Sequence, residues 1–252
     1  MVSQAERYCN FYRRPGKLRR FFRFDIRYRC RRLHEVLSEL GISRNGISVL
    51  DFGFGAGDLL ASFSEDCSVC GVDVSTSAVE TARLNPVFDK FAKAEFCTVP
   101  EHDNDSFIHE KFDIVLSSHV IEHVDDDAVL LNTLKERMKG DGYLVLFAPI
   151  EEPGYIHFHV RNYSLGSLEK KVKESGLEIV FSEGSMNING HIWKIITIPS
   201  RHNWPVLGKT VNSIRLFTLS LIPYTMVKIL DKVLGVLGAG PRQAMIVARK
   251  SV

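Results

Sequence analysis

Glycine stands at every second position in Asp51-Phe52-Gly53-Phe54-Gly55-Ala56-Gly57, directly after the apolar pair Val49-Leu50. A loop of that composition lets a ligand approach the backbone closely. Its N–H groups, and the start of the helix expected after it, would then face the ligand. A dinucleotide fingerprint needs glycine at the sixth position of G-x-G-x-x-G, and Asp58 stands there instead. A purely structural glycine turn is the alternative. Further on, Gly71-Val72-Asp73-Val74-Ser75 ends the next apolar segment in a carboxylate. In register with the glycine loop, Asp73 is placed to accept the two hydroxyls of a ribose; alone, it would be a helix cap.

A second group is built from imidazoles: His119, Glu122 and His123 follow one strand-like run, and His157 and His159 follow another. Such side chains can take a proton from a hydroxyl acceptor. For Glu122-His123 the competing reading is an interaction that orders the start of a helix. His119-x-x-Glu122-His123 spells an inverted zinc-protease motif, but its place after a strand of an α/β sheet makes the match accidental, and no metal is expected. Cys67-x-x-Cys70 has no second pair, and Cys70 lies inside a strand, so these are read as core cysteines.

These residues are brought together only if the elements around them alternate. Strands are expected at 47–52, 68–73, 95–99, 112–117 and 143–147. Helices are expected at 59–63, at 77–84, and from Asp125 through Val129, Leu130, Leu134 and Met138 to Gly140. That alternation makes a parallel, doubly wound sheet. A helix at 167–175, a strand at 177–181 and a last strand at 244–248 follow. The stretch at about 185–240 exceeds an ordinary connection and must hold helices of its own. The expected division is a basic, aromatic helical segment at 1–45, an α/β domain at 46–184 and 243–252, and a hydrophobic helical insertion at 185–242.

At 252 residues, 45% apolar and 25% charged, the chain can bury a substantial core. The formal net charge of +2 hides an uneven distribution. Between Arg7 and Arg32 stand eleven cations (Arg7, Arg13, Arg14, Lys17, Arg19, Arg20, Arg23, Arg27, Arg29, Arg31, Arg32) against Asp25 alone. Interleaved with Phe and Tyr, they suit anionic headgroups. They would also suit RNA, but no RNA-binding module accompanies them and nucleic acid is not expected. The apolar stretch 211–237 is broken by Arg215, Pro223, Lys228, Asp231 and Lys232, which argues against a membrane span but not against lying on a membrane. A helical cap or a subunit interface is its other reading. Five cysteines make no disulfide framework, and no signal segment opens the sequence. The expected location is cytoplasmic, with peripheral contact at the inner face of the membrane left open. No oligomeric state follows from the sequence.

The D-x-G-x-G-x-G loop resembles the first motif of class I S-adenosylmethionine-dependent methyltransferases. Asp73, and 112–124 with its Glu122-His123-Val124, resemble later motifs of that family, over about 47–182 and the last strand. The resemblance implies a Rossmann-like seven-stranded sheet, mostly parallel with an antiparallel last strand, and S-adenosylmethionine as cofactor. It implies a cofactor site of Asp51, Gly53, Gly55, Gly57, Asp73, Val74, Ser118 and His119. Glu101 is the first choice for the adenine amino group, in a region that departs from the family pattern. Quinone-biosynthesis O-methyltransferases carry E-x-x-E-H, which can hold a divalent ion; His119 replaces the first glutamate here. His159-x-Arg161-x-Tyr163-Ser164 resembles an acceptor-side stretch, and His119, His159 and His123 are the candidate catalytic residues. The expectation is methyl transfer, with oxygen favoured as the receiving atom, to a small-molecule acceptor that is a lipid or lipid-linked. A silent cofactor-binding scaffold and an NAD-dependent oxidoreductase are the rivals.

Overall fold

Short apolar strands at the centre of the chain stack side by side because each is flanked by turn-forming residues and buried on both faces. The computed structural model describes residues 24–99, 110–150, 159–189, 217–219 and 221–251. Its strands are β1 (Ser48–Phe52), β2 (Ser68–Asp73), β3 (Lys93–Thr98), β4 (Phe112–Ser118), β5 (Met138–Pro149), β6 (Leu177–Ser185) and β7 (Gln243–Lys250). They form one seven-stranded sheet in the order β3-β2-β1-β4-β5-β7-β6. β1 pairs in parallel with β2 and β4, and β7 runs antiparallel to both β5 and β6. This is the Rossmann-like arrangement expected, antiparallel last strand included. The order reverses between β1 and β4, which opens a crevice at their carboxyl ends.

Among the described residues there are five helices: α1 (Phe24–Glu39), α2 (Thr76–Arg83), α3 (Asp127–Arg137), α4 (Leu165–Glu174) and α5 (Tyr224–Val236). On one face Leu33, Val36 and Leu37 of α1 join Val79 of α2 in a core with Val49 and Ile114. On the other, Leu130 and Leu134 of α3 and Leu168 of α4 pack on Leu50 and Val115. Each fully buried Leu or Val contributes about 1.5–3 kcal/mol, so α1 is held by its packing although it carries many arginines. A smaller cluster joins Phe24 and Tyr28 of α1 to Ile188, Leu219 and Val227 of α5.

Three local expectations differ from the fold. The helix expected after the glycine loop is only a 3₁₀ turn, Leu60–Ser62. Leu59, Leu60 and Phe63 are drawn into the core beneath α1, and α1 occupies the face that a longer helix would cover. α3 ends at Arg137, before Gly140, because Met138 turns extended, is fully buried and pairs with Phe112. Val129 points to solvent, and Leu131 takes the core position instead.

Candidate active site

The glycine loop leaves β1 and is pinned from below. Phe54 points inward, its ring centroid 5.3 Å from that of Phe96, which also packs on Phe88. With Phe54 buried, Gly53, Gly55 and Gly57 all take positive φ, the left-handed region that costs other residues about 1–2 kcal/mol. At Gly53 a Cβ would also meet Val120 Cγ2 at 2.2 Å. The loop therefore lies directly against the segment that follows β4.

Asp73, at the tip of β2, organises this loop. Its Oδ2 accepts the Gly55 N–H (2.8 Å), and its Oδ1 accepts the Ser75 N–H (2.9 Å). Burial still raises its pKa, against those two bonds. Ser75 caps α2, which frees Asp73 from the capping role. Val74 stands exposed beside it, open to a flat ring.

Asp51 lies beneath the loop, 1% exposed, and its Oδ1 finds no hydrogen-bond partner among the described residues. Burial first, and then the neighbouring Asp73 charge, push its pKa up to about 8; Arg29 works in the opposite direction. An orphaned, buried carboxyl oxygen fits a ligand that brings a cationic donor.

Arg29 escaped the sequence reading, which assigned the basic run to a surface. It sits on α1, and its Nη1 donates to Ser118 Oγ at 2.7 Å, bringing a guanidinium into the crevice beside Asp51. Arg32, from the same run, is buried and paired with Glu183, Glu35 and Glu39. The missed signal was the helical spacing: Arg29 and Arg32 lie one turn apart, close to the apolar positions Tyr28, Leu33 and Val36 that fix α1 to the domain.

Beyond β4, His119 has φ +59° and donates its backbone N–H to Phe147 O at 2.9 Å. A non-glycine residue held there is strained, and such residues gather at functional sites. Its Nδ1 is 3.4 Å from Glu122 Oε1, and His123 Nε2 is 3.8 Å from the same oxygen. Glu122 is 1% exposed. Burial acts to raise its pKa, but His119, the residue's own backbone N–H and His123 together outweigh burial and hold it below the usual value. The buried carboxylate thus anchors two histidines.

His159 comes to the same place from the loop after β5, its ring 4.8 Å from that of His123. The rest of its motif is structural. Arg161 donates to Val124 O (2.7 Å), the Tyr163 hydroxyl to Asp127 (3.1 Å), and Ser164 caps α4. Val160 N–H donates to Glu122 O (2.9 Å). These bonds hold His159 against Glu122 and His123, whose ligand atoms together with its own lie within 4.8 Å of one another. Two imidazoles and one carboxylate suit a divalent transition ion. The spacing of 119–123 did not reveal this set, because its third member is far along the chain. Glu101 and His157 lie outside the described residues. Cys67 and Cys70 are both buried but belong to the cores on opposite faces of the sheet, so they share no ligand.

A family model described as a methyltransferase domain matches residues 21–181. The chain belongs to that family, the class I S-adenosylmethionine-dependent methyltransferases, and S-adenosylmethionine is its cofactor. It is 35% identical over 118 residues to the ubiquinone biosynthesis O-methyltransferase of Bradyrhizobium diazoefficiens, covering 46% of this chain and 45% of that one. The protein of the same name in mitochondria of Candida albicans is 35% identical over 119 residues, 46% of this chain and 35% of its own. The chain thus spans less than half the length of these relatives. Among solved structures it is similar to coclaurine N-methyltransferase bound to N-methylheliamine and S-adenosylhomocysteine (TM-score 0.56, 16% identity, 85% of this chain and 68% of that). It is also similar to phosphoethanolamine N-methyltransferase 2 of Haemonchus contortus (TM-score 0.54, 19% identity, 86% and 52%). At these identities the structures speak for the fold alone. Family membership sets the oxidoreductase aside.

Asp51 yields a pH prediction. Its folded pKa of about 8 lies above the ordinary carboxyl value of about 3.9. The free protein therefore keeps a proton there through neutral pH, and its stability falls as pH rises between those values. A cofactor ammonium seated against Asp51 would need the carboxylate. Affinity for S-adenosylhomocysteine is thus expected to rise by up to about tenfold per pH unit toward pH 8, then level off. Calorimetry in buffers of differing ionisation enthalpy should detect the released proton at pH 7. The same affinity slope in Asp51→Asn would exclude Asp51 as its source.

Proposed function

We propose that the chain transfers a methyl group from S-adenosylmethionine to an oxygen of a small-molecule acceptor, a lipid or lipid-linked compound, in the cytoplasm at a membrane surface. The observation that carries this reading is that two groups meet at the carboxyl ends of neighbouring strands. Asp51, Asp73 and the glycine loop stand at the ends of β1 and β2, and Arg29 reaches Ser118 at the end of β4, next to His119 and its buried Glu122. The relatives named O-methyltransferases support oxygen as the receiving atom.

S-adenosylmethionine supplies a methyl group on a cationic sulfonium. Asp73 accepts hydrogen bonds from the ribose hydroxyls, Asp51 faces the cofactor's ammonium, Arg29 its carboxylate, and Val74 the adenine ring. Glu101 is kept as the adenine amino partner. His119 turns Nδ1 toward Glu122 and leaves Nε2 with the lone pair; Nε2 has no partner among the described residues. Nε2 would take the acceptor's hydroxyl proton as that oxygen receives the methyl group, with the carbon–sulfur bond breaking and the neutral thioether, S-adenosylhomocysteine, leaving. Holding the acceptor in line and away from water does most of the rest.

A second reading is favoured by the cluster of Glu122, His123 and His159. These three would hold a divalent ion that lowers the pKa of the acceptor hydroxyl, in place of a histidine base.

Calorimetric titration with S-adenosylhomocysteine, wild type beside Asp73→Ala, tests the cofactor half. Micromolar-range binding by the wild type, lost or weakened at least about tenfold in the variant, is expected. Absence of wild-type binding would favour the silent scaffold.

A further inference from the structure

α5 presents its hydrophobic side in two opposite directions. Val227 and Asp231 face the domain and are buried, and Asp231 accepts hydrogen bonds from Met186 N, Ile188 N and Asn187 Nδ2. Met226, Ile229, Leu230, Val233, Val236 and Leu237 face away and are exposed, Ile229 by 64% and Val236 by 83%. At about 100° per residue these six span an arc of about 120°, a stripe running the length of the helix. Contiguous apolar patches of this kind mark a docking surface.

The edge of the stripe says what docks there. Tyr224, Lys228 and Lys232, spaced four residues apart, run along one side of it. Lys228 meets Glu35 of α1 at 2.9 Å, and the Arg31 guanidinium lies 5.4 Å from the centre of the Tyr224 ring. Arg31 and Lys232 are exposed. The cation-rich stretch 7–32 is described from Phe24 onward, and the Phe24 ring packs in the same cluster as Val227. The single acid of α5 is the buried Asp231 and Lys228 already has Glu35, so helix α5 of a second copy meeting this one stripe to stripe would offer the exposed Lys232 no counter-charge. An anionic headgroup layer would.

We propose that the protein docks on an anionic lipid bilayer through the outward stripe of α5, with Arg31 and Lys232 at the headgroups. The helix lies in the plane of the interface. Its 13 residues reach about 20 Å, short of the roughly 30 Å hydrocarbon core, and no helix among the described residues is long and apolar enough to cross a membrane. At the start of α5 an apolar cavity of ≈ 330 Å³, lined by Ile188, Leu221, Ile222, Met226 and Leu230, adjoins the stripe and can take an acyl chain. The proposal deepens the lipid-acceptor reading and rests on it only for its purpose; the contact itself needs no methyl transfer.

The full chain should be floated with vesicles of phosphatidylcholine alone and of phosphatidylcholine mixed with phosphatidylglycerol. Binding is expected to the mixed vesicles and to weaken with added salt. Ile229→Glu with Val233→Glu should lower it at least about tenfold, and Lys232→Glu severalfold. All variants should titrate S-adenosylhomocysteine like the wild type, which shows them folded. Three results would overturn the proposal: no binding to either vesicle, binding indifferent to the stripe variants, or a wild-type dimer in size exclusion that those variants dissociate. If vesicles bind as expected but the wild type never binds S-adenosylhomocysteine, the methyltransferase reading fails and the docking surface stands.

Discussion

Gly53→Ala is expected to weaken S-adenosylhomocysteine binding at least about a hundredfold, while the protein remains folded. Two independent effects add at this position. A residue with a Cβ pays about 1–2 kcal/mol to hold φ near +80°, and that Cβ would lie 2.2 Å from Val120 Cγ2. The backbone is tied on both sides of the overlap: Gly53 N donates to Val72 O at 2.6 Å, and Val120 belongs to the segment led by the strained His119. Relief must turn the Val120 side chain away or move the loop from β4, and with it the Gly55 N–H that fixes Asp73. Each 1.4 kcal/mol is a factor of ten, so strain and displacement together reach two decades. The combination with Val120→Ala separates the causes: it removes the overlap, leaves the φ strain, and should recover about half of the lost binding free energy. If Gly53→Ala bound like the wild type, the loop would not be the cofactor's support.

The sheet was legible because its signals are local. Val49-Leu50, Val69-Cys70-Gly71-Val72 and Ile114-Val115-Leu116 are apolar runs broken by turn residues, and tertiary packing had no reason to override them. The loop and Asp73 were legible because spacing along one βαβ unit fixes their distance in space. Arg29 was not. Its neighbours in sequence are arginines of different fates, and only the docking of α1 onto Leu59, Leu60 and Phe63 decides which side chain enters the crevice. His159 was named, but its meeting with Glu122 depends on a loop tied down by Arg161 and Tyr163. Such non-local ties leave no periodicity to read. The glycine loop carried a false lead as well: a helix was expected after it, and α1, remote in sequence, fills that face instead.

His119→Ala is expected to lower kcat by about 10²- to 10⁴-fold, the usual range for a lost general base, with a much smaller change in cofactor affinity. The asymmetry follows from position. In the proposed arrangement Asp51, Asp73 and Arg29 would hold the cofactor from the β1–β2 side, whereas His119 stands beyond β4, where the acceptor would meet it. Glu122→Gln should cost less, because an amide keeps Nδ1 company but withdraws the charge that steadies a protonated imidazole. The histidine-base and metal readings part at a chelator. In the base reading, turnover by the wild type survives chelation, and His159→Ala falls far short of the His119 defect, since His159 stands beside the dyad, its ring 4.8 Å from that of His123, without acting as the base. In the metal reading, His123→Ala and His159→Ala are as damaging as loss of Glu122, chelation silences the wild type, and Co²⁺ restores it with a visible absorption band that the His159 variant lacks. The buried Glu122 is common to both, which is why its own substitution cannot separate them and why the contrast between His119 and His159 does.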